Sequence, residues 1–115
     1  MSTDHLSRLK GVDERAVELF KAAPGPMRAY RGLMQEAAKD GALDAKTKEL
    51  MALLVGIAVH CQGCIVYHTR AAIKHGATRE EVAETIGVAV EMGGGPSAIY
   101  GAEALEAFDQ IAAAG

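Results

Sequence analysis

Glycine and proline residues divide this chain of 115 residues into short segments, and that division limits its fold more than any other feature. Breaks lie at residues 23–26, at Gly41, at Gly76 and at residues 93–96. Between the breaks, no stretch alternates apolar and polar residues for long enough to predict a strand. The sequence therefore predicts an all-α fold, a compact bundle of about six helices.

Caps and breaks set the predicted helix bounds. Asp13 and Asp44 are typical N-cap residues, and Thr78 opens a capping box with Glu81. Residues 93–95 lack a preceding strand and the lysine of a phosphate-binding loop, so we interpret them as a turn between helices. His5 precedes the first predicted helix and is expected in a frayed tail. The predicted helices cover residues 13–22, 26–40, 45–60, 62–75, 79–92 and 96–113.

Length and composition limit the number of domains, the partners and the cellular location that we expect for this chain. Its length fits one domain, residues 1–115, and half of its residues are apolar while only 4% are aromatic. A net charge of −3 argues against a nucleic-acid partner. The longest apolar run, residues 50–59, is too short to cross a membrane, and the N-terminal residues lack the apolar stretch of a secretory signal. We therefore expect a cytoplasmic protein with no membrane partner.

The fifth predicted helix has more apolar surface than a small bundle can bury. Its apolar side chains cover more than one face: Val82, Ile86, Val88, Ala89, Val90 and Met92. A second copy of the chain would cover the remaining apolar face. The sequence therefore predicts a homo-oligomer.

Two cysteines and a histidine form the pattern with the clearest chemistry. Cys61, Cys64 and His68 are spaced i, i+3 and i+7, which places them along one stripe of a helix. A dithiol at this spacing can close a disulfide, and the helix N-terminus favours the reactive thiolate form. The helix dipole favours ionisation of Cys61, whereas His68, one turn beyond Cys64, favours Cys64 as the reactive thiol.

Glu49 joins this group if the chain reverses direction near His60. In one continuous helix, Glu49 would lie about 18 Å from the first cysteine, because an α-helix rises 1.5 Å per residue. In an antiparallel hairpin, Cys64 instead lies beside Gly56, and Glu49 comes within reach of His68. A carboxylate that orients an imidazole next to a thiol is a typical arrangement for activating a nucleophile.

The cysteine pattern is also compatible with free thiols or with a metal site. The cysteines could simply be free, buried residues. Alternatively, a zinc site could use His60, Cys61, Cys64 and His68, although adjacent His60 and Cys61 point in different directions on a helix. We favour a site without metal or cofactor. His60 is then a capping or packing residue, and His75 is a partner of a helix C-terminal dipole.

The spacing from Glu49 through Cys61 and Cys64 to His68, E-x11-C-x2-C-x3-H, resembles the signature of the AhpD-like alkylhydroperoxidases. These belong to the carboxymuconolactone decarboxylase superfamily, and the resemblance extends from about Pro26 through residues 76–78 to the glycine-proline block at 93–96. It implies an all-helical fold that assembles as trimers or hexamers. It also implies a peroxidase that uses a hydroperoxide substrate and an unidentified thiol/disulfide electron donor.

The resemblance also implies a role for each site residue. Cys64 would attack the peroxide, Cys61 would resolve the resulting sulfenic acid, and Glu49 and His68 would form a proton relay. Members of this family often carry a histidine directly before the second cysteine, where this chain has Gly63. The departure predicts a weaker proton relay to Cys61.

A lyase and a redox sensor are the two functions that compete with the peroxidase. A decarboxylase-type lyase of the same superfamily would act on a polyanionic lactone, which needs a cationic clamp. The candidates for such a clamp are Arg70, Arg28 and Arg31. In a non-enzymatic redox sensor, the same dithiol would switch a partner.

Overall fold

Six α-helices form the described part of the chain. The structure, a computed structural model, describes residues 3–115 and has no strand in that range, while residues 1 and 2 of the predicted domain lie outside it. The all-α architecture predicted from the sequence is confirmed. The helices are α1 (His5–Ala22), α2 (Pro24–Ala38), α3 (Ala45–Ala58), α4 (Gln62–Lys74), α5 (Arg79–Gly93) and α6 (Gly95–Ala114).

Helix α1 begins at His5 rather than at residue 13, so the predicted start of the first helix is wrong. Its N-cap is Asp4, whose side chain accepts a hydrogen bond from the Ser7 N–H at 3.0 Å. His5 is completely buried, which corrects the prediction of a frayed tail. The cause is tertiary packing that no local cap signal reveals. An apolar cluster joins α1 to α4 and α6: Leu9, Val66, Ala107 and Ile111.

The other helix bounds lie close to the predicted ones. Asp44 caps α3, and Thr78 caps α5 with the reciprocal contact to Glu81. Helix α2 begins and ends two residues earlier than predicted, with Pro24 in its first turn. The turn predicted at residues 93–95 is present, because Gly94 has φ +70° between α5 and α6.

Helices α3 and α4 end in the same type of turn. At the end of α3, the His60 N–H donates to the Ile57 carbonyl and the Cys61 N–H donates to the Gly56 carbonyl, at 3.2 and 2.9 Å. This pair of bonds is a Schellman motif and requires the left-handed conformation, so His60 has φ +60°. Gly76 occupies the equivalent position after α4, with φ +88°. The chain therefore reverses where the hairpin prediction requires it.

The main apolar core lies between α3, α4, α5 and α6, whereas α2 has no buried residue. Apolar side chains remain exposed on α5, as the sequence predicts, and also on α2 and α3. Self-association would cover this surface and stays a prediction. Among residues 3–115, no helix has the length and apolar character that a membrane span requires. The exposed apolar side chains of α2, α3 and α5 include Leu33, Val55, Val88 and Met92.

Candidate active site

Helices α3 and α4 form an antiparallel hairpin with a close contact at the level of Cys64. A Cβ atom added to Gly56 would lie only 3.2 Å from the Cβ of Cys64. The absence of a side chain at Gly56 therefore lets the two helices approach each other. The predicted pairing of Cys64 with Gly56 is confirmed.

The two cysteines lie at the N-terminus of α4 and are joined to each other as a disulfide. Cys61 is the N-cap residue, and its Sγ accepts a hydrogen bond from the Cys64 N–H at 3.2 Å. The two Cα atoms are 5.2 Å apart, within the range that a disulfide spans without backbone movement. The structure thus shows the pairing that the spacing allows.

Glu49 and His68, here called the relay pair, meet across the hairpin. Oε2 of Glu49 lies 2.7 Å from Nδ1 of His68. The Glu49 side chain is only 10% exposed, whereas that of His68 is 23% exposed. Because Nδ1 is committed to Glu49, Nε2 is the ring nitrogen that can exchange a proton with a group outside the pair. The predicted contact is therefore present.

His60 lies apart from the two cysteines in spite of its adjacent sequence position. Its ring stacks on Tyr100 of α6, with centroids 4.6 Å apart and ring planes 9° apart. The prediction of a capping or packing role is confirmed, because His60 also closes the end of α3. Across residues 3–115, no group of three or more His, Cys, Asp or Glu side chains is arranged to hold a metal ion.

A cavity of about 730 Å³ opens beside the cysteines, between α1, α2 and α4. Cys61, Cys64 and His68 line it at α4, so the disulfide and the imidazole share one space. The volume lies within the range of small-molecule sites. Its apolar wall comes from three helices: Val12, Ala16, Val17, Phe20, Met27, Tyr30, Met34 and Tyr67.

Two arginines and one aspartate add charge to this cavity. Both guanidinium Nη atoms of Arg70 donate to Asp13, at 2.6 and 2.9 Å, and join α4 to α1. This hydrogen bonding holds the pKa of the Asp13 carboxyl below its ordinary value of 3.8. Arg31 lies over the ring of Phe20, 4.7 Å from its centroid. Arg28 and Arg31 are both exposed residues of α2, but Arg28 is not part of the cavity wall.

Gly63 also lines the cavity, at the position where the resemblance leads one to expect a histidine. A Cβ atom added there would lie 3.3 Å from a methyl carbon of Val12. Helix α1 therefore packs closely against the N-terminus of α4 at this position, and a side chain at residue 63 would require Val12 to shift by a few tenths of an ångström.

Sequence reasoning missed most of the cavity wall. Asp13 is not the N-cap that the sequence predicts. It lies within α1 and forms an ion pair with Arg70 of α4. Phe20 is one of only two phenylalanines in the chain, which is the signal that could have marked it. Nothing in the local pattern shows that α1 and α2 turn these residues toward the cysteines.

Known proteins resemble this chain over most of its length. A family model described as the carboxymuconolactone decarboxylase family matches residues 24–107, which include the four predicted site residues. The chain belongs to the carboxymuconolactone decarboxylase family. An uncharacterized protein of Cupriavidus necator is 41% identical over 111 residues, which is 96% of this chain and 98% of the relative.

Solved structures of the carboxymuconolactone decarboxylase family have the same fold. A family protein from Legionella pneumophila is 47% identical with a TM-score of 0.90, over 93% of this chain and 96% of that one. A second, from Thermotoga maritima, is 26% identical with a TM-score of 0.80, over 90% and 91%. For that protein an involvement in the antioxidative response has been suggested.

Proposed function

We propose that this protein is a thiol-dependent peroxidase that reduces organic hydroperoxides through Cys61 and Cys64. The observation that supports it most is the position of the relay pair. A buried carboxylate holds an imidazole at the wall of the cavity that also contains the cysteine pair. The antioxidative role suggested for the Thermotoga maritima relative is in line with this chemistry.

The proposed cycle begins with both cysteines reduced. The Cys64 thiolate attacks the terminal oxygen of the hydroperoxide, the O–O bond breaks, and the alkoxide leaves as an alcohol after it accepts a proton. Cys64 is now a sulfenic acid. The Cys61 thiol attacks its sulfur, water leaves, and the disulfide forms. Two thiols are oxidised while one hydroperoxide becomes one alcohol and one water; a dithiol reductant then reduces the disulfide.

The relay pair supplies the proton transfers in this cycle. Glu49 fixes the ring of His68 through Nδ1, so that Nε2 can take the proton of Cys64 and return it to the leaving alkoxide. The attacking role goes to Cys64 because His68 lies one turn beyond it on α4. Cys61, as the N-cap, is placed to attack Cys64 and close the bond. Because residue 63 is glycine rather than histidine, Cys61 has no second imidazole from that position.

The charges in the cavity favour a peroxidase over a decarboxylase-type lyase. Of the three arginines considered for a cationic clamp, Arg28 lies outside the cavity and Arg70 is paired with Asp13. Among residues 3–115, Arg31 is therefore the one of these three arginines that lies in the cavity wall without a carboxylate partner. A polyanionic lactone would meet only that cation of the three. A non-enzymatic redox sensor would share the dithiol but would not turn over.

The proposal also includes a cellular compartment and an oligomeric state. A dithiol that cycles between reduced and oxidised forms needs a compartment that keeps reductant available, which favours the cytoplasm. The exposed apolar side chains on α2, α3 and α5 favour a homo-oligomer.

A thiol count tests the peroxidase directly. The fully reduced protein is mixed with one equivalent of cumene hydroperoxide, and free thiols are counted before and after by alkylation and mass spectrometry. We expect both thiols to disappear, with a loss of about two daltons in the peptide that contains Cys61 and Cys64. We also expect repeated turnover when a dithiol reductant is added. An intact dithiol after treatment contradicts the proposal, and oxidation without turnover favours the sensor.

A further inference from the structure

Arg31 is a cation in the cavity wall that the proposed cycle does not use. Its guanidinium lies over the ring of Phe20, and both residues line the cavity that contains the cysteine pair. The carboxylate of the same wall, Asp13, is held by two hydrogen bonds from Arg70. Among residues 3–115, no carboxylate lies within ion-pair distance of Arg31. The cavity therefore offers one uncompensated positive charge to a ligand.

We propose that Arg31 selects hydroperoxides that carry a single carboxylate on an apolar body. This inference rests on the proposed peroxidase function, since it assigns the substrate class of the same cavity. The carboxylate takes no part in the redox step. The O–O bond still breaks on attack by Cys64, and the products are the hydroxy acid, water and the disulfide.

The chemistry of Arg31 favours a carboxylate. A guanidinium is a planar, permanently charged donor that binds the two oxygens of a carboxylate side by side. Its position over the Phe20 ring restricts its motion, so less side-chain entropy is lost when a ligand binds. One such cation matches one negative charge, whereas a polyanionic substrate would leave charges unpaired in a mainly apolar space.

The rest of the wall favours a hydrocarbon body. Apolar side chains from α1 and α2 surround the cavity, and its volume of about 730 Å³ is large for a hydroperoxide of only a few carbon atoms. The cysteines and His68 belong to α4, while Arg31 belongs to α2. The reacting group and the charged group of the ligand therefore contact different helices.

A matched pair of substrates tests this selection. The hydroperoxide of linoleic acid and its methyl ester differ only in the carboxylate. Their second-order rate constants for oxidation of the reduced dithiol are measured in the same non-ionic detergent. We expect the wild type to react about tenfold faster with the acid, which corresponds to one charge-assisted contact. In Arg31→Gln, we expect the ratio of acid to ester to fall to about one.

Two further variants separate the charge of Arg31 from its planar shape and from its position in the cavity wall. Arg31→Lys retains the charge without the planar fork, so its acid-to-ester ratio should lie between those of the wild type and Arg31→Gln. Arg28→Gln removes the same charge from α2 at a position that is exposed, as Arg31 is, but lies outside the cavity wall, and it should retain the wild-type ratio. A ratio near one in the wild type, or an unchanged ratio in Arg31→Gln, overturns the assignment of Arg31.

Failure of the peroxidase and failure of this inference give different results. If the wild type oxidises its dithiol with neither hydroperoxide, the proposed peroxidase is wrong. Calorimetric binding of the hydroxy acid of linoleic acid and of its methyl ester then tests Arg31 by itself. Tighter binding of the acid by the wild type, lost in Arg31→Gln, supports the inference, and equal binding of acid and ester overturns it.

Discussion

Two histidine–carboxylate pairs of nearly equal length occupy different regions of this molecule. The relay pair, Glu49 and His68, is 2.7 Å long and joins α3 to α4 beside the cavity. A second pair, His5 and Glu106, here called the anchor pair, is 2.8 Å long and joins the start of α1 to α6. Their burial is reversed. In the relay pair the carboxylate is the more buried partner, whereas in the anchor pair the ring is 1% exposed and the carboxylate 37%.

This reversal separates a group that can exchange protons from a group that holds the chain in place. His68 lines the cavity, and Glu49 holds its ring through Nδ1. The ring of His5 has no such access, and its Nδ1 is buried without a hydrogen-bond partner among residues 3–115. The backbone of His5 is also held, because its N–H donates to the side chain of Gln110 at 2.8 Å. We infer that the anchor pair contributes to stability and the relay pair to reactivity.

The largest expected effect is the loss of peroxidase turnover when the relay pair is broken. Glu49→Gln and His68→Ala should each lower turnover with cumene hydroperoxide by about 10²- to 10⁴-fold, the range of a general acid–base group. The helices should remain, because neither change removes an apolar contact of the core. Steady-state assays with a dithiol reductant and far-ultraviolet circular dichroism check both points. Turnover within a factor of a few of the wild type would contradict the relay.

A smaller effect, on stability, is expected from the anchor pair. His5→Ala removes a fully buried ring and its contact with Glu106, so the free energy of unfolding should fall by about 2–3 kcal/mol. Urea denaturation at fixed protein concentration measures this loss. Turnover of the folded variant should stay within about threefold of the wild type, because His5 lies outside the cavity wall.

His75→Ala is the matched control, because His75 is exposed at the end of α4. Its effect on the free energy of unfolding should stay within about 0.5 kcal/mol. The distinction between the two pairs would fail if His5→Ala lowered turnover as strongly as Glu49→Gln.

The smallest expected effect concerns the ion pair that joins α1 to α4. The hydrogen bonds from Arg70 lower the pKa of Asp13 in the folded protein. The contact therefore stabilises the fold above the ordinary carboxyl range, and the contribution is lost as the pH falls through the lowered pKa. Asp13 is half exposed, so Asp13→Asn should cost at most about 1 kcal/mol at neutral pH.

Denaturation of the wild type and Asp13→Asn across a pH series measures that contribution. The difference between their free energies of unfolding should shrink as the pH falls below the ordinary carboxyl range and through the lowered pKa of Asp13. Glu14→Gln, which removes the same charge from the next, exposed position, should show little difference at any pH. A wild-type advantage that grew on acidification would contradict the assigned sign.

The parts of the site that the sequence could predict are those that local spacing determines. Glu49 and His68 are 19 residues apart, and one reversal near His60 is enough to pair them. The caps at Asp44 and Thr78 follow the same logic, because a cap and its helix are neighbours in sequence.

The parts that could not be predicted depend on contacts between distant segments. His5 and Glu106 are 101 residues apart, and only the packing of α1 on α6 brings them together. For the same reason, the sequence predicts a helix start at residue 13, although the helix begins at His5. The cavity wall from α1 and α2 also depends on how these helices pack, which no periodicity in the chain describes.

The pH profile of Cys64 alkylation tests the central claim most directly, that the relay pair controls the reactivity of this thiol. The fully reduced protein is treated with iodoacetamide over a pH series, and mass spectrometry follows modification of Cys64 in the wild type, Glu49→Gln and His5→Ala. We predict that Glu49→Gln slows alkylation at neutral pH and moves the midpoint of the profile to higher pH, while His5→Ala leaves the profile in place. Superimposable profiles for the wild type and Glu49→Gln would contradict the claim and leave the chemistry to the two cysteines alone.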